Sequence, residues 1–459
     1  MTTAILAAIL LLAFLGFALG RRRAVTLAGG NWRNLHSLPS YYGAYVALWC
    51  GVPALAIFAA WLAFEPHILE AIVVRGLPAA LAAGGPAQTG LLLNDIRNIA
   101  AHGVGERSVD PALIAAAEQY KRLQSTAFGM LAVVALAAAT LGLGWAQRRV
   151  APGLRARNRV ERAVLAMLLL SSTLSILTTV GIVLSLLFES LRFFHAVPFW
   201  DFLFGLEWSP QTALRADQVG SSGAFGAIPL FAGTLLITAI AMAVAVPVGL
   251  LVAIYLADYA SRRGRALIKP VLEVLAGIPT VVYGFFAALT MAPFIRGLGE
   301  AVGLTVASES ALAAGLVMGI MIVPFVSSLS DDVMNAVPQS LRDGSYALGA
   351  TKSETIRQVV IPAALPGIVG GVLLAVSRAV GETMIVVMAA GLSANLTVNP
   401  LEAVTTVTVQ IATLLVGDQE FDSAKTLAAF ALGLVLFFAT LSLNLVALHV
   451  VRKYREKYD

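Results

Sequence analysis

Arg378 and Glu382 stand four residues apart in Ser377-Arg378-Ala379-Val380-Gly381-Glu382-Thr383-Met384, within an otherwise apolar run. A cation near the middle of a membrane span costs at least ~2.5 kcal/mol on insertion scales, so an ionisable group there is a functional candidate by default. Arginine stays charged and presents a planar fork of donors that fits two oxygens of an anion such as phosphate. Glutamate is an acceptor, and at i+4 it shares a helix face with the arginine, so the two can also pair and lower each other's cost. Thr383 adds a hydroxyl. The competing assignment is a structural ion pair that locks two helices.

A polar segment precedes that run: Asp343-Gly344-Ser345-Tyr346-Ala347-Leu348-Gly349-Ala350, then Thr351 to Gln358, then Val359-Val360-Ile361-Pro362. Polar backbone between membrane spans must be helical, exposed or held by another protein. Leu341, Ala347, Leu348 and Ala350 favour a short helix after Pro338, and Pro362, which lacks an N–H, is expected to stop it. Gly349 either costs about 1 kcal/mol inside that helix or makes a turn between two helical pieces.

The elements that carry these residues are membrane helices. Of the 459 residues, 59% are apolar and 12% charged, whereas soluble domains sit nearer a quarter charged. Apolar runs long enough to span a bilayer lie near residues 4–20, 42–64, 127–145, 163–187, 227–257, 268–294, 311–328, 365–392 and 427–450. The patch 68–83 is interrupted by Glu70, Arg75 and Pro78 and is not counted. With nine spans, the clusters Arg21 to Arg23, Arg148 to Arg162, Arg262 to Arg265 and Arg452 to Lys457 fall on one side, the cytoplasm. The N-terminus is then outside and the C-terminus cytoplasmic. The first run has its arginines after it rather than before, the reverse of a secretory signal. The net charge of +5 sits in these clusters, which argues against nucleic-acid binding.

Two external loops are substantial. The first is expected to hold a short helix from Pro111 to Leu123, capped by Ser108 or Asp110. The second carries Phe193, Phe194, Phe199, Trp200, Phe202, Phe204 and Trp208, a density that suits an interfacial helix or a docking surface. Pro279 and Pro324 are expected to kink their spans, and Glu273 to pair with Lys269 or to stabilise the loop. Cys50 is a packing residue in an apolar run, and the five scattered histidines lack metal-ligand spacing. No Gly-x-x-x-x-Gly-Lys-Ser/Thr cradle and no nucleophile elbow occurs, so ATP binding in the P-loop manner and covalent catalysis are not expected of this chain.

The polar segment resembles the coupling loop of ABC-transporter permeases, written Glu-Ala-Ala, three residues, Gly, nine residues, Ile, one residue, Leu-Pro. The match runs through Asp343-Gly344-Ser345, Gly349, Val359 and Ile361-Pro362; the glycine and proline are identical, while Gly344 and Ser345 keep only the smallness of the alanines. Gly277-Ile278-Pro279-Thr280-Val281-Val282-Tyr283-Gly284-Phe285-Phe286, with Gly381-Glu382-Thr383-Met384, resembles the signatures of phosphate permeases of the PstC type. The resemblance covers the last six spans; the first three resemble a long variant's N-terminal extension.

That resemblance implies an all-α polytopic membrane protein with about nine transmembrane helices, a six-helix ABC-importer permease core at 158–459 preceded by three extra helices at 1–157, with the coupling loop at 338–362. It implies a non-catalytic permease subunit of an ATP-driven phosphate importer in the cell inner membrane. Its partners would be a second permease of the PstA type, an ATPase dimer and a periplasmic phosphate-binding protein. No cofactor is expected in this chain, ATP being bound by the partner. Asp343, Gly344, Ser345, Gly349, Ala350 and Pro362 would engage the ATPase; Arg378, Glu382 and Thr383 would line the substrate pathway. Glu382 could accept the proton that phosphate keeps at neutral pH and fully ionised sulfate lacks, rejecting sulfate. The alternatives are a permease for molybdate, sulfate or phosphonate, or a self-contained secondary transporter, which leaves the coupling loop unexplained.

Overall fold

In hydrocarbon every backbone polar group needs an internal partner, and apolar runs of this length therefore fold as helices. A computed structural model describes residues 2–29, 32–76, 86–103, 111–210, 223–416 and 423–454. Among the described residues, nine helices are long and apolar enough to cross a membrane. The chain divides into two compact units, Met1–Ile176 and Leu177–Asp459.

The first unit is built on α1 (Thr2–Leu27), α2 (Pro39–Gly76), α3 (Pro86–His102) and α4 (Pro111–Arg149). Lipid tails are as apolar as leucine, so these helices associate by close packing at small residues. A Cβ on Gly20 of α1 would lie 2.7 Å from Val46 of α2, and one on Gly43 would lie 2.7 Å from the Phe17 carbonyl. Cys50 is buried in this contact with Ile9, Ala54, Leu131 and Ala135.

Three expectations change here. The helix starting at Pro111 does not end at Leu123 but continues as the third span, because no glycine or proline interrupts it until Gly129 and the Ser125 and Thr126 hydroxyls both bond the Arg122 carbonyl within the helix. Its expected caps, Ser108 and Asp110, lie outside the described residues. The patch from Ile68 to Gly76 is the end of α2, and the rest of that patch lies outside the described residues. The break between units falls within α5 (Ala156–Ala196) rather than after Arg157, since Ala156 and Val160 are buried in the first unit's core with Tyr42 and Val150.

The second unit continues from α5 through α6 (Phe199–Phe204), a two-residue antiparallel pair β1 (Trp208–Ser209) and β2 (Ala224–Phe225), and α7 (Ile228–Ile254), which ends in a π-helical turn at Tyr255–Tyr259. Then follow α8 (Arg262–Gly277), α9 (Thr280–Phe286), a π turn at Ala287–Met291 and α10 (Ala292–Ala301). The central and most buried span is α11 (Ala311–Asn335). Next come α12 (Gln339–Ala347), α13 (Lys352–Thr355), a π turn at Ile356–Val360, α14 (Ile361–Val380), α15 (Met384–Ala389), α16 (Val407–Leu414) and α17 (Ala424–Tyr454).

Glycines four apart let α11 take two neighbours at close range. Gly315 and Gly319 face Ile240 and Ala241 of α7, while Gly367 and Gly371 of α14 face Val333 and Leu329 of α11. The aromatic run is not one interfacial helix. Phe193, Phe202, Trp208 and Phe225 are buried in a core with Leu427 and Leu432, whereas Trp200 and Phe204 remain exposed.

Two expected spans are broken helices. Helix α8 stops at Gly277, Ile278 is extended (φ −65°, ψ 129°), and Pro279 stands at the N-cap of α9. A residue before proline is pushed out of the helical region, so this position restarts the helix instead of kinking it. The membrane-length element accordingly runs Thr280–Ala301 rather than 268–294. Pro324, by contrast, lies inside a continuous α11. The eighth span ends at Val380 and not near 392, because the chain leaves the helix at Gly381 to Thr383.

Candidate functional site

Helix α12 begins after Pro338 and closes on Gly349, which has φ +86°. The Gly349 N–H bonds the Tyr346 carbonyl at 2.9 Å and the Ala350 N–H bonds the Ser345 carbonyl at 3.2 Å, the two hydrogen bonds of a Schellman ending, which glycine adopts without a Cβ penalty. Gly349 is thus the turn between two helical pieces. Among the described residues, none outside the local helix lies within 4 Å of a Cβ placed there or on Gly344. Thr351 then caps α13 in a reciprocal box with Glu354. Pro362 does not stop the helix. One membrane-length helix runs Lys352–Val380, and the π turn before α14 puts Pro362 in a first turn, where its missing N–H is tolerated.

Only Arg342 is buried on α12. Its guanidinium pairs with Asp258, in the π turn beyond α7, and donates to the Met334 carbonyl of α11 at 2.9 Å. Ser345 Oγ and Thr355 Oγ1 are 2.9 Å apart, joining α12 to the start of the eighth span. The outer face presents Asp343, Gly344, Tyr346 and Leu348, the last 91% exposed.

The expected pair at the other end of this span does not form. Arg378 lies in the last turn of α14, not at mid-helix, and its Cζ stands 5.9 Å from the centre of the Phe325 ring, a cation–π contact with α11. Glu382 lies beyond the helix end, so the i+4 face no longer applies. Its Oε1 accepts the backbone N–H groups of Met384 (3.1 Å) and Ile385 (3.5 Å) and so caps α15. Arg378 is exposed in this chain, and Glu382 and Thr383 are half-buried. The three flank one break, with the guanidinium and the second carboxylate oxygen both uncommitted to each other.

The break is closed by residues that sequence reasoning missed. Thr408 Oγ1 donates to the Glu382 carbonyl at 2.8 Å, the Val404 N–H bonds the Ala390 carbonyl at 2.9 Å, and buried Thr234 accepts the Val407 N–H at 3.2 Å. Gln410 donates to the Leu392 carbonyl at 3.2 Å and accepts from Trp208 Nε1 at 3.0 Å. Val404 to Val409 consists wholly of β-branched residues, as a strand would favour, but Thr406 is the cap of α16, accepting the Val409 N–H. The available signal was the density of hydroxyls in an apolar stretch.

At the opposite end of α11, Asp331 receives Arg265 Nη2 at 2.8 Å, Asn335 Nδ2 at 2.8 Å and Lys269 Nζ at 3.3 Å, and Lys269 also reaches Asp332 at 3.4 Å. Lys269 therefore pairs with these aspartates and not with Glu273 as expected. Burial lowers its pKa, but the hydrogen bonds and charges of Asp331 and Asp332 outweigh that, and the net shift is upward.

Comparison with known proteins bears on both units. A family model described as phosphate ATP-binding cassette transporter matches residues 6–178, and one described as binding-protein-dependent transport system inner membrane component matches residues 245–456. The chain is 33% identical over 272 residues to the phosphate transport system permease protein PstC of Mesorhizobium japonicum, covering 55% of this chain and 79% of that protein. The chain belongs to the PstC family of phosphate ABC-transporter permeases. This permease is also similar to the probable ABC transporter permease protein YqgH of Bacillus subtilis (36% over 236 residues, 51% of this chain and 72% of the relative). Among solved structures, a bacterial alginate ABC transporter aligns at 15% identity with a TM-score of 0.45, covering 66% of this chain and 99% of that one. The first matched segment nearly coincides with the first compact unit of the permease, Met1–Ile176.

Proposed function

We propose that this permease, with a second permease subunit of the PstA type, encloses the membrane path of an ATP-driven phosphate importer. The observation that carries this reading is the broken eighth span, which sets Arg378, Glu382 and Thr383 around one interruption in a PstC-family chain. The guanidinium fork binds two phosphate oxygens, and Glu382, whose Oε1 is fixed by two backbone donors, offers Oε2 to the proton that phosphate carries at neutral pH. Fully ionised sulfate meets a carboxylate with no proton to give it and is disfavoured.

In this reading the basic helix ends face the cytoplasm, with the N-terminus outside and the C-terminus inside. Asp343, Gly344, Ser345, Gly349 and Ala350 engage one ATPase subunit of a dimer, which binds the ATP, and the helix Lys352–Val380, with Pro362 within it, carries the motion inward. A periplasmic binding protein delivers phosphate on the other side. No covalent chemistry falls to this chain.

The test is uptake of labelled phosphate into proteoliposomes holding the complete transporter, with sulfate, molybdate and phosphonate as competitors. ATP-dependent phosphate uptake resistant to the competitors supports the reading. Preferential uptake of another oxyanion makes the permease specific for that anion, and uptake without ATP or ATPase makes it a secondary transporter.

A further inference from the structure

Phe325, whose ring carries the Arg378 guanidinium, also walls a cavity of about 200 Å³ between α8 and α11. Lys269, Glu273, Ser327, Ser328 and Asp331 line it. The volume is several times the ~30 Å³ share of one water molecule, room for a tetrahedral oxyanion with part of its hydration. Ser327 is wholly buried, and its hydroxyl has no partner among the described residues. Buried hydroxyls are ordinarily paired, so its partner is to be sought among what the cavity admits.

Lysine 269 is free to turn to such a guest. Its contacts to Asp331 and Asp332 are 3.3 and 3.4 Å, longer than the ~2.7–2.9 Å of a strong charge-assisted bond. Asp331 keeps Arg265 and Asn335 at 2.8 Å when Lys269 leaves. Lys269 and Arg265 face three carboxylates, Asp331, Glu273 and the exposed Asp332. With two cations against three carboxylates the site holds an anion loosely, as a passage site must.

We propose that this cavity is a second phosphate passage site, between Arg378 and the basic start of α8, with Lys269 as its cation, Glu273 as acceptor of the phosphate proton and Ser327 as a hydroxyl contact. It rests on the phosphate-import reading. The chemistry repeats that of the break above it, one cation, one carboxylate and one hydroxyl, with Phe325 between the two.

The experiment uses the complete transporter in proteoliposomes, with labelled phosphate as the probe. It measures maximal uptake, the half-saturating phosphate concentration, ATPase stimulation and melting temperature for Ser327→Ala, Lys269→Gln and Lys269→Arg. Ser327→Ala should melt at or above wild type while maximal uptake falls about tenfold, the effect of one lost hydrogen bond to an anion, at an unchanged half-saturating concentration. Lys269→Gln should fall further and Lys269→Arg recover part of the loss. A hydroxyl that binds nothing leaves uptake unchanged on removal, so wild-type uptake by Ser327→Ala overturns the proposal even if Lys269→Gln fails to assemble. Failure of the wild-type transporter to import phosphate would instead overturn the reading on which it rests.

Discussion

Arg342 of α12 and Asp258 beyond the end of α7 form an ion pair with only 9% and 4% of their side chains exposed, and the same guanidinium holds the Met334 carbonyl. One residue therefore fixes α12 to the ends of two spans. Removing one partner of a buried pair strands the other charge and costs about 3–5 kcal/mol, whereas replacing both by apolar groups of similar size is often tolerated. Arg342→Ala should lower the melting temperature of the purified complex markedly, and Arg342→Met with Asp258→Leu should recover most of it. The double variant should still transport less phosphate per ATP than wild type, since the bond to the Met334 carbonyl is gone. Equal stability losses in the single and double variants would contradict the ion-pair account.

Gly349 is required by its φ of +86° and not by crowding among the described residues. Gly349→Ala should cost about 1 kcal/mol at the α12 ending, and Gly349→Asn less, because asparagine tolerates the left-handed region. Gly349→Trp carries the same backbone strain and adds bulk toward a partner. Co-purification of the ATPase separates the two effects. Loss with tryptophan alone shows close approach by the ATPase, whereas loss already with alanine shows that the turn itself is what the ATPase reads.

At the broken span, Arg378→Ala and Glu382→Gln should each reduce phosphate uptake about tenfold or more, the loss of a charge-assisted contact. Assembly should persist, since a glutamine oxygen can still accept the Met384 N–H. Glu382→Gln should also let sulfate compete. Uptake by both variants at the wild-type rate and normal protein level would remove these residues from the pathway.

A chain beginning near Arg157 removes α1 to α4 and exposes Val160, which is buried in the first unit. The second unit keeps its own core around α11. The truncated permease should insert and retain measurable ATP-driven phosphate uptake with its partners. Complete loss in a stably inserted, ATPase-bound truncation would assign the first unit to the transport machinery.

The hydrophobic runs alone determined that the chain is a helical membrane protein, with nine membrane-length helices among the described residues, because the bilayer sets one length and demands internal hydrogen bonding of every segment that crosses it. Gly349 likewise located a helix ending, since a left-handed turn is written largely in a single residue type, while Pro362, expected to end the segment, lies inside the helix Lys352–Val380. What hydropathy could not show is where a span breaks: Ile278-Pro279 and Gly381 to Thr383 lie inside apolar runs, and only the docking of α9 on α15 and of Thr408 on the Glu382 carbonyl gives those interrupted backbones their neighbours. The partners of the charges were equally beyond reach. Arg342 meets Asp258 84 residues away and Lys269 meets Asp331 62 residues away, whereas the pair that local spacing suggested, Arg378 with Glu382, is separated by a helix end. Helical periodicity governs neighbours only while the helix lasts, and the tertiary structure decided where it ended.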